Sequence, residues 1–364
     1  MGKKSVAKIV ITGGPCAGKT TGMSWIQNAF IQRGYDVLFV SETATELISG
    51  GSAPWNSISI PEFQKNLLQL QIDKEKAFER AAQNMKSDKI LIVCDRGALD
   101  GKAYLSDEDF EKITEFIGKS EVELRDSYDA VFHLVTAAKG AGDFYTTANN
   151  TARTETKEQA AELDDKLIAA WTGHPHFRII DCEAHPEDKM KHLISEIALL
   201  LGEMRPYEVE KKFLIEYPNV EELIKLPNCE KIEINQIYLK GEGDDEVRIR
   251  QRGIDGNYIY YETRKKKFGG VKRIEHEKRL TPGEFLERLM DADPTRRPIR
   301  KDRYCLTDGN QYFEIDVFPF WDDKAIMEIE LSEPDEEIRF PEMIKVIREV
   351  TGENEYRNSV LAKI

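Results

Sequence analysis

The chain runs to 364 residues, 40% hydrophobic and 32% charged, with a formal net charge of −14. Its length exceeds one ordinary hydrophobic core and predicts two domains, while its acidity excludes general affinity for nucleic acid, because most of the surface would repel a phosphate backbone. No apolar run, Ile197 to Leu201 included, approaches the ~20 residues that cross a bilayer, so a membrane span is excluded as well.

In chain order, the run Lys8-Ile-Val-Ile11 predicts a strand over 8–12. Gly13 to Thr20 then read GGPCAGKT, a match to G-x-x-x-x-G-K-[ST] that leads into an amphipathic helix over 19–33 ended by Gly34. That placement is the one a phosphate loop requires. Gly13, Gly14 and Gly18 let backbone N–H groups turn inward around a phosphate, and the helix aims its positive dipole end at the anion. Lys19 would reach the β- and γ-phosphates, the Thr20 hydroxyl would complete a Mg²⁺ shell, and Thr21 lies beside them at the helix start. ATP or GTP is the expected ligand, with Mg²⁺ or Mn²⁺ as the metal.

Further strands are predicted over 37–41, 89–94, 130–135 and 177–180, and helices over 61–85, 107–117, 156–171 and 186–201. Such alternation predicts a doubly wound, parallel α/β sheet, in which ligands bind beyond the carboxyl ends of the strands. Glu42 follows the second strand and either accepts a proton from an acceptor hydroxyl or orients its neighbours. Asp95 closes Ile90-Leu-Ile-Val-Cys94, an arrangement that holds Mg²⁺ directly or through water; a strand-terminal aspartate can equally cap the next helix. Residues 136–155 have the small, polar composition of a mobile lid. Arg153 within it either meets a transferring phosphoryl group on closure or pairs with Glu155 or Glu158 at the surface. The five cysteines are scattered and never spaced as C-x-x-C, which argues against a disulfide or zinc framework. Together with an N-terminus that lacks a secretory pattern, this makes a cytoplasmic location the expectation.

The loop GGPCAGKT, the acidic SETATELI, the helical FQKNLLQLQ and the stretch CDRGALDGKAYL together resemble the AAA domain shared by NadR-type ribosylnicotinamide kinases and the TRPL translocation defect proteins, over about residues 6–200. The resemblance implies binding of ATP or GTP and phosphoryl transfer to a small acceptor, which it does not identify. Asp100 and Gln64 stand at family-like positions.

Past Gly202, Glu203-Met-Arg-Pro206 reads as a linker between domains at 1–203 and 207–364. From there strands dominate. Glu208, Glu210 and Lys212 alternate, so on a strand they share one face. Arg248, Arg250 and Arg252 do likewise, with Val247, Ile249 and Gln251 opposite, and Glu275 with Glu277, Glu314 with Asp316 and Glu328 with Glu330 give acids two residues apart. Covering helices would bury the Val and Ile residues, which sends the charges to the inside of an antiparallel β-barrel. Cations there would bind the oxygens of a linear polyphosphate, and paired carboxylates would hold the divalent metal that bridges them.

This half is similar to the CYTH or triphosphate tunnel metalloenzyme superfamily over about residues 207–364, through the E-x-E-x-K run and the segments VRIRQR, YYETRKK, RIEHE, KDRYCL, FEIDVF and MEIEL. The resemblance implies that Glu208, Glu210, Glu328 and Glu330 ligate Mg²⁺ or Mn²⁺, while Lys212, Arg248, Arg250, Lys265, Arg273 and Arg303 hold phosphates. Glu314 and Asp316 are further candidate metal ligands, and Glu210 and Glu330 candidates for orienting the attacking water. The run Arg264 to Lys267 exceeds what a tunnel needs, so part of it is expected to face outward, toward an anionic lipid headgroup or an acidic partner.

The expected function is an ATP- or GTP-binding, kinase-like NTPase domain joined to a metal-dependent tunnel that hydrolyses a nucleoside triphosphate or inorganic tripolyphosphate. Two alternatives stay open. One is a nucleotide-switched protein whose tunnel captures an anionic phospholipid headgroup without turnover; the other is a small-molecule kinase acting through the first domain alone.

Overall fold

The computed structural model describes residues 4–55, 58–140, 156–182, 185–203, 209–240, 246–268, 272–331 and 336–363, with the backbone alone at 209, 266–268 and 272–276. The chain divides into two compact units, Met1–Glu208 and Val209–Ile364.

The first unit alternates strands and helices: β1 (Ser5–Thr12), α1 (Lys19–Ile31), β2 (Asp36–Val40), α2 (Thr43–Ser49), α3 (Ile60–Asn84), β3 (Lys89–Asp95), α4 (Asp107–Ile117), α5 (Glu121–Arg125), β4 (Ala130–Leu134), α6 (Ala137–Gly140), α7 (Lys157–Trp171), β5 (Phe177–Ile180) and α8 (Pro186–Leu200). The strands form one parallel sheet in the order β2-β3-β1-β4-β5. Ile9 to Ile11 and Ile90 to Cys94 are fully buried, as parallel strands covered on both faces require. Ile26 and Phe30 of α1 and Leu193 and Ile197 of α8 pack into the same core as Ile9, Val93, Phe132 and Leu134. Ser59, Ser106, Ser120 and Thr156 start α3, α4, α5 and α7 by accepting a backbone N–H three residues on. The central position of β1 puts the loop that follows it at the switch point of the sheet, where a crevice opens.

The predicted elements appear, with α1 ending two residues early and β2 shifted by one. The periodicity missed α2, α5 and α6, which are seven residues or fewer and carry under two turns of pattern. One expectation is corrected: Ala137–Gly140, taken as the start of a mobile lid, is helical. The remainder of that segment, Arg153 included, lies outside the described residues.

The second unit contains β6 (Val209–Glu216), α9 (Val220–Leu223), β7 (Cys229–Leu239), β8 (Glu246–Ile254), β9 (Asn257–Phe268), β10 (Lys272–Leu280), α10 (Pro282–Leu289), β11 (Ile299–Asp308), β12 (Gln311–Val317), β13 (Lys324–Leu331), β14 (Val346–Glu349) and α11 (Asn358–Leu361). Nine strands make one antiparallel sheet in the order β10-β9-β8-β7-β11-β12-β13-β6-β14. Among the described residues no pairing joins β10 to β14.

Directly opposed residues of an antiparallel ladder share a face, so the register sorts the side chains. Lys212 opposes Glu328, Glu328 opposes Glu314, and Glu314 opposes Cys305, two residues from Arg303. Arg303 opposes Ile232; further along β7, Ile234, Gln236 and Tyr238 oppose Arg252, Arg250 and Arg248, and Arg248 opposes Thr263. The charges therefore share one face across seven strands. The other face carries Phe213, Ile215, Phe313, Ile315, Met327 and Ile329, with Leu223 of α9 packed on them, and Ile237, Val247 and Ile249, with Phe285 of α10.

Candidate phosphate sites in the two units

In the first unit, β1 ends at Thr12 and the chain turns at once into the loop, where Gly13 (φ 143), Cys16 (φ 59) and Gly18 (φ 91) take left-handed backbone conformations. A Cβ on Gly13 would lie 2.2 Å from the Leu134 carbonyl oxygen, so only glycine fits. Lys19 Nζ donates to the Gly13 carbonyl at 3.1 Å, which folds the ammonium back over the loop. Burial, and then the like charge of Arg96, bring that ammonium down to about 8. Thr20 and Thr21 open α1 with exposed side chains. Gly14 N–H, by contrast, points out of the loop to Asp164 Oδ1 at 2.9 Å.

Three carboxylates and Arg96 stand beside the loop. Glu42, at the start of α2, accepts Arg96 Nε at 2.6 Å and the Thr45 hydroxyl at 2.7 Å. Burial raises its carboxyl, but Arg96 and Thr45 outweigh that and hold it at about 2, a poor value for a proton acceptor. Asp100, 4% exposed, accepts the Thr12 hydroxyl and Gly97 N–H at 2.6 Å and lies 3.5 Å from Arg96 Nη1. Asp95 differs from both. Its Oδ1 is buried with no hydrogen-bond partner among the described residues, and burial, opposed by Lys19, pushes the carboxyl up. An orphaned carboxylate oxygen beside a phosphate loop fits a divalent cation, which would supply both the missing partner and the charge. Asp95 and the Thr20 hydroxyl are the groups that would hold it.

Arg96 is itself held under strain. Its φ of 72 is left-handed, a conformation that costs a non-glycine residue on the order of 1 kcal/mol or more. Gln71 Nε2 donates to its carbonyl at 3.1 Å. Two residues on, Ala98 N–H donates to the Tyr128 hydroxyl at 2.9 Å, which donates to Glu75 at 2.8 Å. Gln64, at a family-like position, packs against Gly101, where a Cβ would lie 2.8 Å from Gln64 Oε1.

In the second unit the shared face carries a continuous ionic network. Lys212 bonds Glu328 and lies 3.0 Å from Glu210. Arg303 spans three acids: Nη1 donates to Glu314, Nε and Nη2 to Asp316 at 2.7 Å each, and Nη2 to Glu328 at 3.1 Å. Lys301 Nζ donates to Asp316 as well, and Asp316 is 1% exposed. Against the cost of burial, Arg303 and Lys301 hold the Asp316 carboxyl well below its ordinary range. Desolvation and then Glu328's like charge push the Glu210 carboxyl up. Arg250 Nη2 pairs with Glu277 at 2.7 Å, and the Thr263 hydroxyl donates to the same carboxylate at 2.9 Å.

The structure thus brings Glu210, Lys212, Glu314, Asp316, Glu328 and Arg303 into contact, with Arg248, Arg250 and Lys265 farther along the same face. Glu330 shares it, is exposed and opposes Glu210. Glu208 lies outside the described residues; Arg273 is placed by its backbone alone, opposite Lys267. Arg264 faces the other way from Lys265, bonded to Glu262 at 2.7 Å. Lys301 escaped the sequence reading although it stands two residues before Arg303, a spacing that on a strand had already placed it on the charged face. Asp164 carried no such signal, being one acid among several in a helix.

A family model described as an AAA domain matches residues 8–189, half of the chain, and the chain belongs to that family. An inorganic triphosphatase of Acetivibrio thermocellus is 30% identical over 156 residues, covering 43% of this chain and 93% of that protein, which makes it a homologue of part of the chain. Among solved structures, the inorganic triphosphatase NE1496 is 25% identical, covers 43% of this chain and 95% of that chain, and has a TM-score of 0.30. A NadR protein in complex with NR is 18% identical over 56% of this chain and 53% of that chain, with a TM-score of 0.40. The protein is a two-domain nucleotide-binding protein with a P-loop domain and triphosphatase homology, and no described helix is long and apolar enough to cross a membrane.

Proposed function

We propose that the second unit hydrolyses a linear triphosphate with Mg²⁺ or Mn²⁺, while the first binds ATP or GTP with Mg²⁺. The observation that carries the first half is the single charged face on which Lys212, Arg250, Lys301 and Arg303 alternate with Glu210, Glu314 and Glu328. Cations alone would make an anion receptor; the carboxylates interleaved with them would hold a divalent metal, which would supply charge neutralisation. The triphosphatase match spans 156 residues, as many as Val209–Ile364 contains, which supports placing that homology here.

The roles divide by exposure and pairing. Glu210, Glu314, Glu328 and Glu330, with Glu208, are the candidate metal ligands. Lys212, Arg248, Arg250, Lys265, Arg273 and Arg303 hold phosphate oxygens; in doing so Lys212 would turn from Glu210 and Glu328, and Arg303 from Glu314 and Glu328, freeing those carboxylates for a metal. Asp316, buried under two cations, is better suited to fixing Arg303 and Lys301 than to leaving them for a metal. The metal, when bound, supplies charge neutralisation at the phosphates, and Glu210 or Glu330 orients the attacking water.

In the first unit Lys19 and the loop amides would hold the β- and γ-phosphates, and Asp95 with Thr20 the metal. The ion pair to Arg96 favours Glu42 as the group that positions Arg96 over a role as proton acceptor. The test is orthophosphate release from inorganic tripolyphosphate and from nucleoside triphosphates, with Mg²⁺, Mn²⁺ or a chelator. Release that needs the metal and falls about a hundredfold or more in Glu328→Gln is the expected result. Tight tripolyphosphate binding without release would favour a receptor, including one for an anionic lipid headgroup.

A further inference from the structure

The phosphate loop is tied to its surroundings by the side chains of Lys189, Asp164 and Thr136. Lys189, on α8 and 8% exposed, donates from Nζ to the Ala17 carbonyl at 3.0 Å and the Val135 carbonyl at 2.5 Å. Asp164, on α7 and fully buried, accepts Gly14 N–H at 2.9 Å and Thr136 N–H at 3.2 Å, and also holds His133 Nε2 at 3.0 Å and Lys139 Nζ at 2.9 Å. The Thr136 hydroxyl donates to the Pro15 carbonyl, and Ala137 N–H to the Cys16 carbonyl at 3.4 Å. These ties join the same two segments: Gly14 to Ala17 of the loop and Val135 to Ala137 beyond β4.

In a trans peptide the C=O and N–H point in opposite directions, and no described peptide bond is cis. A Pro15 carbonyl held by Thr136 therefore turns the Cys16 N–H the other way, and an Ala17 carbonyl held by Lys189 does the same for the Gly18 N–H. Inward-turned amides of this kind are what a phosphate oxygen accepts in a glycine-rich loop. A loop left loose would lose backbone entropy on ordering around a ligand, and ties made beforehand remove that cost from binding.

We propose that Lys189 is a positioning residue for the nucleotide's β- and γ-phosphates, acting with Thr136 by presetting the Cys16 and Gly18 amides without touching the nucleotide. It acts on phosphates that the loop encloses and has no part in holding the base or sugar. Calorimetry on the full chain with Mg²⁺ tests this, comparing the triphosphate that binds the wild type better, ATP or GTP, with its monophosphate. Lys189→Met is expected to weaken the triphosphate about tenfold and the monophosphate less than about twofold, with Lys189→Arg restoring most of the loss. Thr136→Val, which removes the other carbonyl tie, should show the same selectivity in smaller degree and keeps the test open if Lys189→Met fails to fold. Equal loss for both nucleotides, or no loss, in a folded variant would overturn the proposal and leave Lys189 a plain structural support.

Discussion

Glu42, Asp95 and Asp100 are three carboxylates in one crevice, and their neighbours set them to different work. Asp100 is saturated by Thr12 and Gly97, Glu42 is ion-paired to Arg96, and Asp95 keeps an oxygen unmet. The pairing of Glu42 has a sign that solution measurement can read. Its folded-state carboxyl lies at about 2, below the ordinary value of 4.5, so its contribution to stability is present above pH 4.5 and is lost as pH falls toward 2. With 30% of the side chain exposed, the contribution is about 1–2 kcal/mol. Glu42→Gln should therefore be less stable than the wild type by that amount in urea melts at pH 6, with the gap closing toward pH 2. A gap that stays constant with pH would mean that the ion pair to Arg96 does not form.

At the scale of elements, the loop after β3 depends on a close fit. A Cβ on Gly97 would lie 2.6 Å from Trp171 Cζ2 and 2.8 Å from a Val10 methyl, in a core with no slack. Gly97→Ala should cost about 1–3 kcal/mol, seen as a lowered thermal midpoint, and should displace the strained Arg96 next to it. An unchanged midpoint would mean that α7 yields at Trp171. The strands and long helices of the first unit were legible because each carries several periods of its pattern; Asp107–Ile117 and Phe177–Ile180 fall where the periodicity predicts them. Tertiary pairing was not legible. Nothing in the helix Lys157–Trp171 marks Asp164 as the residue that reaches Gly14, since the contact closes over a separation that only the folded sheet creates. The left-handed Arg96 is hidden for a similar reason, its carbonyl being claimed by Gln71 from another helix.

Across the whole molecule, the two units carry chemically unlike sets of polar groups. The first unit offers backbone amides, a helix start and one lysine; the second offers a sheet face of alternating acids and bases. Period-2 alternation made that face readable from the strands one at a time, while the register that aligns Lys212, Glu328 and Glu314 across three strands came from the structure. The sequence also left unsaid that the acids pair with the bases, Lys212 with Glu328 and Arg303 with Glu314, Asp316 and Glu328. The most direct measurement runs nucleotide binding and tripolyphosphate hydrolysis in parallel on the full chain as wild type, Lys19→Ala and Lys212→Ala. Two separate phosphate sites predict that Lys19→Ala abolishes nucleotide binding and spares orthophosphate release, and that Lys212→Ala does the reverse. If either single change removed both properties, or if Lys212→Ala left release intact, a second phosphate site on the charged sheet face would be contradicted.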